Sequence, residues 1–284
     1  MQSGQPSTTA ERAALLRAAH QLFDQPRVLE DPIVMRLLAP ERTAELSANP
    51  QAFERPALRN LRASIALRSR YAEDSLAEAV RRGVRQYVIL GAGLDSFAYR
   101  NPFPADLRVY EVDHPATQAW KRARLQAAGI EEPEPLRFIP FDFERQPLLE
   151  ALTAGGLDLH APAFVSWLGV TVYLTREAVL GTLKALRSLA PGSEVVFSYL
   201  ISSELMNERA QAAVSAIAAR AAGSGEPWLT HFDPAELSGA LTDLGFVQIE
   251  DFGGEQAVER YFRDRSDGLH PGGSGHLMRA RVPA

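Results

Sequence analysis

The chain has 284 residues, and its 30 basic and 35 acidic side chains leave a net charge of −5. Apolar residues make up 46% and cysteine is absent. That composition supports a packed core and excludes disulfides, thiolate nucleophiles, thiolate zinc sites and iron–sulfur clusters. No apolar run approaches the roughly 20 residues of a membrane span, and the opening MQSGQPSTTAER lacks the apolar core of a secretion signal. A cytoplasmic chain is expected, built as one large α/β domain or as one domain with a cap. Arg59, Arg62, Arg68 and Arg70 are spread along one helical stretch without interleaved aromatics. Neither nucleic acid nor a membrane is therefore an expected partner.

Residues 1–7 read as a tail. Thr8 and Glu11 have the spacing of a capping box, and Leu15, Leu16, Ala19, Leu22 and Phe23 follow at helical spacing. Asp31-Pro32 starts a second short helix, with Asp31 as its cap. A third runs from Pro56 to about Arg82. With no strand signal before these helices end, residues 1–55 read as a helical lid or cap and 56–284 as the main domain. The alternative of equal weight is that the first helices merely cover one sheet edge.

Tyr87-Val88-Ile89-Leu90 is a short apolar run of strand formers, suited to a parallel strand covered on both faces. Gly91-Ala92-Gly93 follows at once and permits a tight turn and close approach of a ligand. A second strand, Val109 to Val112, ends at Asp113, placed to accept hydrogen bonds from a ribose above the turn. The dinucleotide fingerprint is incomplete, because Ser96 stands at its third glycine. Asp95 falls where the next helix is expected to begin. A carboxylate there repels a pyrophosphate and competes for the amides it needs, whereas an adenosine ligand bearing a sulfonium is favoured. S-adenosyl-L-methionine is such a ligand. Asp95 also fits a plain helix cap, and the two readings are compatible.

After Asp113, His114-Pro115 opens a helix that ends near Gly129, and Leu136 to Ile139 is a third strand. Phe141-Asp142-Phe143 then lies at a carboxyl strand end, where open α/β sheets bind ligands. Asp142 can accept from an adenine amino group, and the Phe143 backbone N–H can reach a ring nitrogen. Asp142 as the cap of a helix around Gln146–Leu152 is the alternative. Ala163–Trp167 is the fourth strand, beside the first, and Thr175 caps a helix running to Leu189. Glu194–Leu200 is the fifth strand. An alanine-rich helix over 203–222 is an insertion expected to pack with the N-terminal helices over the cleft. Asp233 starts a helix ending at Gly245, and the strands Phe246–Ile249 and Gly275–Val282 pair antiparallel. The expected fold is α/β: a doubly wound, Rossmann-like sheet, mostly parallel, with an antiparallel C-terminal hairpin and a helical lid.

VILGAGLDSFAYR followed by VYEVDHP resembles the leucine carboxyl methyltransferase family, which includes bacterial polyketide carboxyl O-methyltransferases. The similarity runs from about Arg68 to the C-terminus and more loosely through the N-terminal helices. The resemblance implies a class I S-adenosyl-L-methionine-dependent O-methyltransferase. Its acceptor would be a small-molecule carboxylate or hydroxyl of secondary metabolism, and S-adenosyl-L-homocysteine the product. It implies that Gly91, Gly93, Asp113, Asp142 and Phe143 hold the cofactor and that Arg68, with Arg70 as neighbouring candidate, clamps its carboxylate. Tyr173 then lines the substrate pocket or is a buried structural tyrosine. Many relatives carry Glu-Gly where this chain has Leu168-Gly169, a departure that removes one polar cofactor contact. An NAD-type oxidoreductase and a non-catalytic cofactor-binding protein are the alternatives. His231 is the candidate base, with a structural role the commoner reading of a lone histidine. No H-E-x-x-H or G-x-S-x-G spacing occurs, so no metal is expected, and no catalytic residue or oligomeric state is read from the sequence.

Overall fold

A computed structural model describes residues 7–143 and 146–284. Seven strands form one sheet: β1 (Gln86–Leu90), β2 (Arg108–Asp113), β3 (Leu136–Pro140), β4 (Ala163–Trp167), β5 (Glu194–Leu200), β6 (Val247–Phe252) and β7 (Gly275–Arg281). Their order is β3-β2-β1-β4-β5-β7-β6. The first five run parallel, and β7 is antiparallel to both β5 and β6. The α/β class and the antiparallel C-terminal pair are as the sequence predicts.

β1 is central and buried along its whole length. Its side chains alternate between two cores. Val88 and Leu90 join Val165, Trp167 and Phe197 on one face. Tyr87 and Ile89 join Phe164, Val196 and Leu277 on the other. Leu90 is level with Val112 of β2 and with Trp167 of β4. The carboxyl ends of these three strands therefore open at one place.

A third apolar cluster lies outside the sheet. The helix Thr8–Phe23 packs on the helix Pro56–Arg81, burying Ala14, Leu15, Ala18 and Ile65 together with Leu46 and Phe53. Leu94, from the glycine turn, belongs to the same cluster. Beneath it lies a buried ionic network. Arg62, 0% exposed, donates to both oxygens of Asp24 at 2.8 and 2.6 Å and to the Phe53 carbonyl at 2.9 Å. His20 Nδ1 lies 2.7 Å from Asp24 Oδ2.

Three helix starts differ from the sequence reading, the second helix spanning Val34–Leu37 with Ile33, not Asp31, at its cap position. Ser7, not Thr8, caps the first helix, its hydroxyl accepting from Ala10 N–H at 3.1 Å. Glu11 pairs with Arg42 at 3.0 Å instead of closing a capping box. The inserted helix spans Glu208–Gly223 behind an Asn207 cap, and Ser203–Leu205 forms only a 3-10 turn. No helix among the described residues is long and apolar enough to cross a membrane.

Burial pushes the Asp24 carboxyl up, but hydrogen bonds from His20 and Arg62 outweigh it and hold the pKa below the usual 3.8. Its stabilising effect is thus full above that value and is lost as pH falls through the depressed pKa. Asp24→Ala leaves the buried Arg62 guanidinium with only the half-exposed Glu54 carboxylate, at 3.1 Å, and should cost about 3 kcal/mol, read as a lower urea midpoint at unchanged slope.

Candidate active site

The chain turns sharply where β1 ends, with φ at +66° for Gly91 and +51° for Gly93. The N–H groups of Gly91 and Ala92 both donate to the Val112 carbonyl, at 2.8 and 3.2 Å. Gly93 N–H donates to Asp113 Oδ2 at 2.5 Å, and His114 N–H donates to Oδ1 at 2.6 Å. Burial pushes the Asp113 carboxyl up, opposed by these two backbone donors. Each oxygen keeps a further lone pair. A side chain at Gly91 would overlap Val170, and one at Gly93 would press on Ala10 at 3.0 Å. The two glycines thus make room for the protein's own Val170 and Ala10.

The helix expected to begin at Asp95 does not form. Asp95 Oδ1 accepts from Phe97 N–H at 2.8 Å, and a single 3-10 turn, Phe97–Tyr99, follows. Pro102 and Pro104 come too soon for a helix to continue. The turn is fixed from below by Lys121, whose Nζ donates to the Asp95 carbonyl at 2.6 Å and to Glu111 Oε2 at 2.5 Å. Burial pushes Glu111 up to about 7, against the attraction of Lys121. From above, Arg17 donates to the Leu94 carbonyl at 2.5 Å while its Nε meets the buried Asp31 at 3.1 Å.

Arg68 stands opposite the turn. Its guanidinium lies so close to Gly169, just past β4, that a Cβ there would overlap it. It has no hydrogen bond or ion pair with the described residues, although Asp95 and Tyr173 lie within electrostatic reach. Burial and the charge of Arg17 pull its pKa down to about 10. Arg70 instead faces solvent and pairs with Asp74 at 2.9 Å. Only Arg68 of the two reaches the strand ends.

Past β3, the Phe143 ring stacks on Trp167 with centroids 5.9 Å apart and planes 14° apart. Asp142 N–H donates to Gln146 Oε1 at 3.1 Å. The following helix is Leu148–Ala154 with Pro147 at its cap, so capping that helix is not the role of Asp142. Trp167 is fully buried, and its indole N–H has no acceptor among the described residues.

Gly169 has φ at +73° and donates its N–H to Ser198 Oγ at 2.7 Å. Leu168 is half-buried against the core that contains Ile89 and Phe164. Tyr173 ends the 3-10 turn Thr171–Tyr173. His231 lies in a segment stitched to this turn and to β5. Leu229 N–H donates to the Val172 carbonyl at 2.6 Å, the Thr230 hydroxyl to the Leu174 carbonyl, and Phe232 N–H to the Leu200 carbonyl at 2.9 Å. Arg68, Gly91, Gly93, Asp113, Asp142, Phe143, Tyr173 and His231 therefore all stand at the carboxyl end of the sheet. Arg17, which ties the first helix to the glycine turn, carries no mark in the sequence that separates it from other helical arginines. No group of three or more His, Asp or Glu among the described residues is placed to hold a metal ion.

The family profile described as leucine carboxyl methyltransferase matches residues 10–187. The chain belongs to the leucine carboxyl methyltransferase family. The matched span takes in the N-terminal helices as well as the glycine turn. YktD of Bacillus subtilis strain 168, provisionally named an S-adenosyl-L-methionine-dependent methyltransferase, is 31% identical over 99% of both chains. Rv3787c of Mycobacterium tuberculosis H37Rv, of the same provisional name, is 35% identical over 68% of this chain and 64% of its own. A DUF574 family protein from Streptomyces avermitilis shares the fold, with a TM-score of 0.60 at 19% identity, over 96% of this chain and 97% of its own. A provisionally described methyltransferase from Thermobifida fusca YX does so with a TM-score of 0.59 at 20% identity, over 100% and 97%.

Gly169→Ala places a Cβ into the Arg68 guanidinium and forces alanine into a left-handed conformation. It should lower stability by about 1–2 kcal/mol from the backbone alone, seen as a lower thermal midpoint.

Proposed function

We propose that the chain transfers the methyl group of S-adenosyl-L-methionine to an oxygen of a small-molecule acceptor, a carboxylate or a hydroxyl, in the cytoplasm. The observation that carries this reading is the Arg68 guanidinium, withdrawn from solvent without an acceptor and set across the strand ends from Asp113. A cation so placed fits a ligand carboxylate, which a guanidinium grips with two parallel hydrogen bonds. The remaining lone pairs of Asp113 fit ribose hydroxyls. Asp142 and the Phe143 backbone fit the adenine edge, with the Phe143–Trp167 stack as an apolar wall.

When bound, the sulfonium supplies a methyl group open to in-line displacement. The protein's part is to hold the acceptor oxygen in line with that methyl and to exclude water. Ala10 over Gly93 and Val170 over Gly91 supply apolar cover at the glycine turn. A carboxylate acceptor is ionised near neutral pH and needs no base. A hydroxyl acceptor needs one, and His231, half-buried and without a hydrogen bond among the described residues, is the group at hand.

An NAD-type oxidoreductase is disfavoured because the glycine turn leads into a single 3-10 turn, not into a helix whose N-terminal amides could hold a pyrophosphate, and Asp95 already takes the Phe97 N–H. Calorimetry with S-adenosyl-L-homocysteine and with NAD decides between the two, and binding of NAD alone would overturn the assignment. Asp113→Ala should weaken S-adenosyl-L-homocysteine binding by about 1–3 kcal/mol. Arg68→Ala should weaken it by about 1.5–3 kcal/mol, the range for hydrogen bonds to charged groups. Unchanged dissociation constants would remove these residues from the site.

A further inference from the structure

The fold gives its withdrawn arginines partners nearly everywhere. Arg17, Arg62, Arg100 and Arg279 each meet a carboxylate. Among the described residues, only Arg12 and Arg68 are partly withdrawn from solvent yet have neither hydrogen bond nor ion pair. Both lie within electrostatic reach of Tyr173. Arg68 has a use in the cofactor reading. Arg12 does not.

Arg12 belongs to the helix Thr8–Phe23, whose Ala10 covers Gly93. Across from it Arg220, on the inserted helix Glu208–Gly223, adds a second positive charge. Burial and the charge of Arg220 both pull the Arg12 pKa down. A nearby acid, Glu226, turns its Oε2 to the start of the helix, accepting from the Thr8 hydroxyl at 3.2 Å and from Thr9 N–H at 3.0 Å, and makes no hydrogen bond or ion pair with Arg12. The segment from Glu226 to Thr230 runs from the start of this helix to the turn holding Tyr173. It carries Trp228, whose buried indole N–H also has no acceptor among the described residues. The Arg12 and Arg68 guanidinium groups and the buried Trp228 N–H thus stand near Tyr173 without an acceptor among the described residues, a costly arrangement unless a ligand supplies one.

Building on the methyltransferase reading, we propose that Arg12 anchors an anionic group of the methyl acceptor, a carboxylate or a phosphate, separate from the oxygen that takes the methyl. A carboxylate gripped by a guanidinium has its charge neutralised and its lone pairs engaged, which makes it a poor nucleophile. The acceptor class is therefore a small acid carrying a second, reactive oxygen. Because Arg12 sits on the helix that covers the glycine turn, binding the anion also holds that helix over the reacting atoms.

Benzoate, phenyl phosphate and neutral benzamide, titrated calorimetrically into the full chain saturated with S-adenosyl-L-homocysteine, test this. At least one anion should bind the native chain more tightly than benzamide, and the tighter of the two identifies carboxylate or phosphate. Arg12→Ala should weaken that anion at least about tenfold, the loss expected for a charge-assisted pair. Its affinity for S-adenosyl-L-homocysteine should stay within about twofold, because Arg68 holds that carboxylate. Arg12→Lys should fall between, since it keeps the charge and loses the planar fork. Equal binding of benzoate and benzamide, no anion binding to the native chain, or anion binding indifferent to Arg12→Ala overturns the inference. Failure of the native chain to bind S-adenosyl-L-homocysteine, read before any anion is added, overturns the cofactor reading instead.

Discussion

The site depends on one buried contact, the grip of Arg17 on Asp31 and on the Leu94 carbonyl. Asp31 is fully buried and also accepts from Val34 N–H, so one carboxylate fixes both the first helix and the start of the next. Leu94 is the hinge of the arrangement. Its side chain lies in the helical cluster while its backbone continues the glycine turn. The N-terminal helices and the sheet thereby share a residue at the point where β1 ends, and the position of Ala10 over Gly93 follows from it.

The sheet was legible because its determinants are local. Tyr87 to Leu90, Ala163 to Trp167 and Glu194 to Leu200 are short apolar runs bounded by turns, and each forms a strand at or within one residue of the bounds read from the sequence. The helix after the glycine turn was not legible, because an aspartate two residues past a glycine caps a 3-10 turn as well as a helix. Pro102 and Pro104 end it within one turn, and Lys121, 26 residues away, holds the Asp95 carbonyl. Of the site, the family resemblance favoured Arg68 with Arg70 as neighbour, and tertiary contact sets the two apart: one lies on Gly169, the other beside Asp74. Arg17 and Arg12 lie on one helix with the same composition around them. Their different roles come from what faces them, which no spacing rule encodes.

The chemistry follows a division between paired and unpaired charge. Glu194 receives Arg82, Arg279 and Arg281, and Asp24 receives Arg62 and His20, so these groups lock the scaffold. Around Tyr173 the pattern inverts, and guanidinium groups stand without acceptors. A scaffold that satisfies its charges elsewhere places its unsatisfied ones where binding can complete them, which links electrostatic cost to recognition.

The position of β7 between β5 and β6 bears on how the chain assembles. During synthesis β6 emerges before β7 but has no partner in the sheet until β7 has paired with β5. The edge of β5, with Val196 and Phe197 fully buried in the finished sheet, stays open until then. Strands β1 to β5 can assemble around a complete glycine turn while the far edge still waits for Gly275–Arg281. The last strand to arrive thus covers the edge of β5 and gives β6 its place at the rim of the sheet.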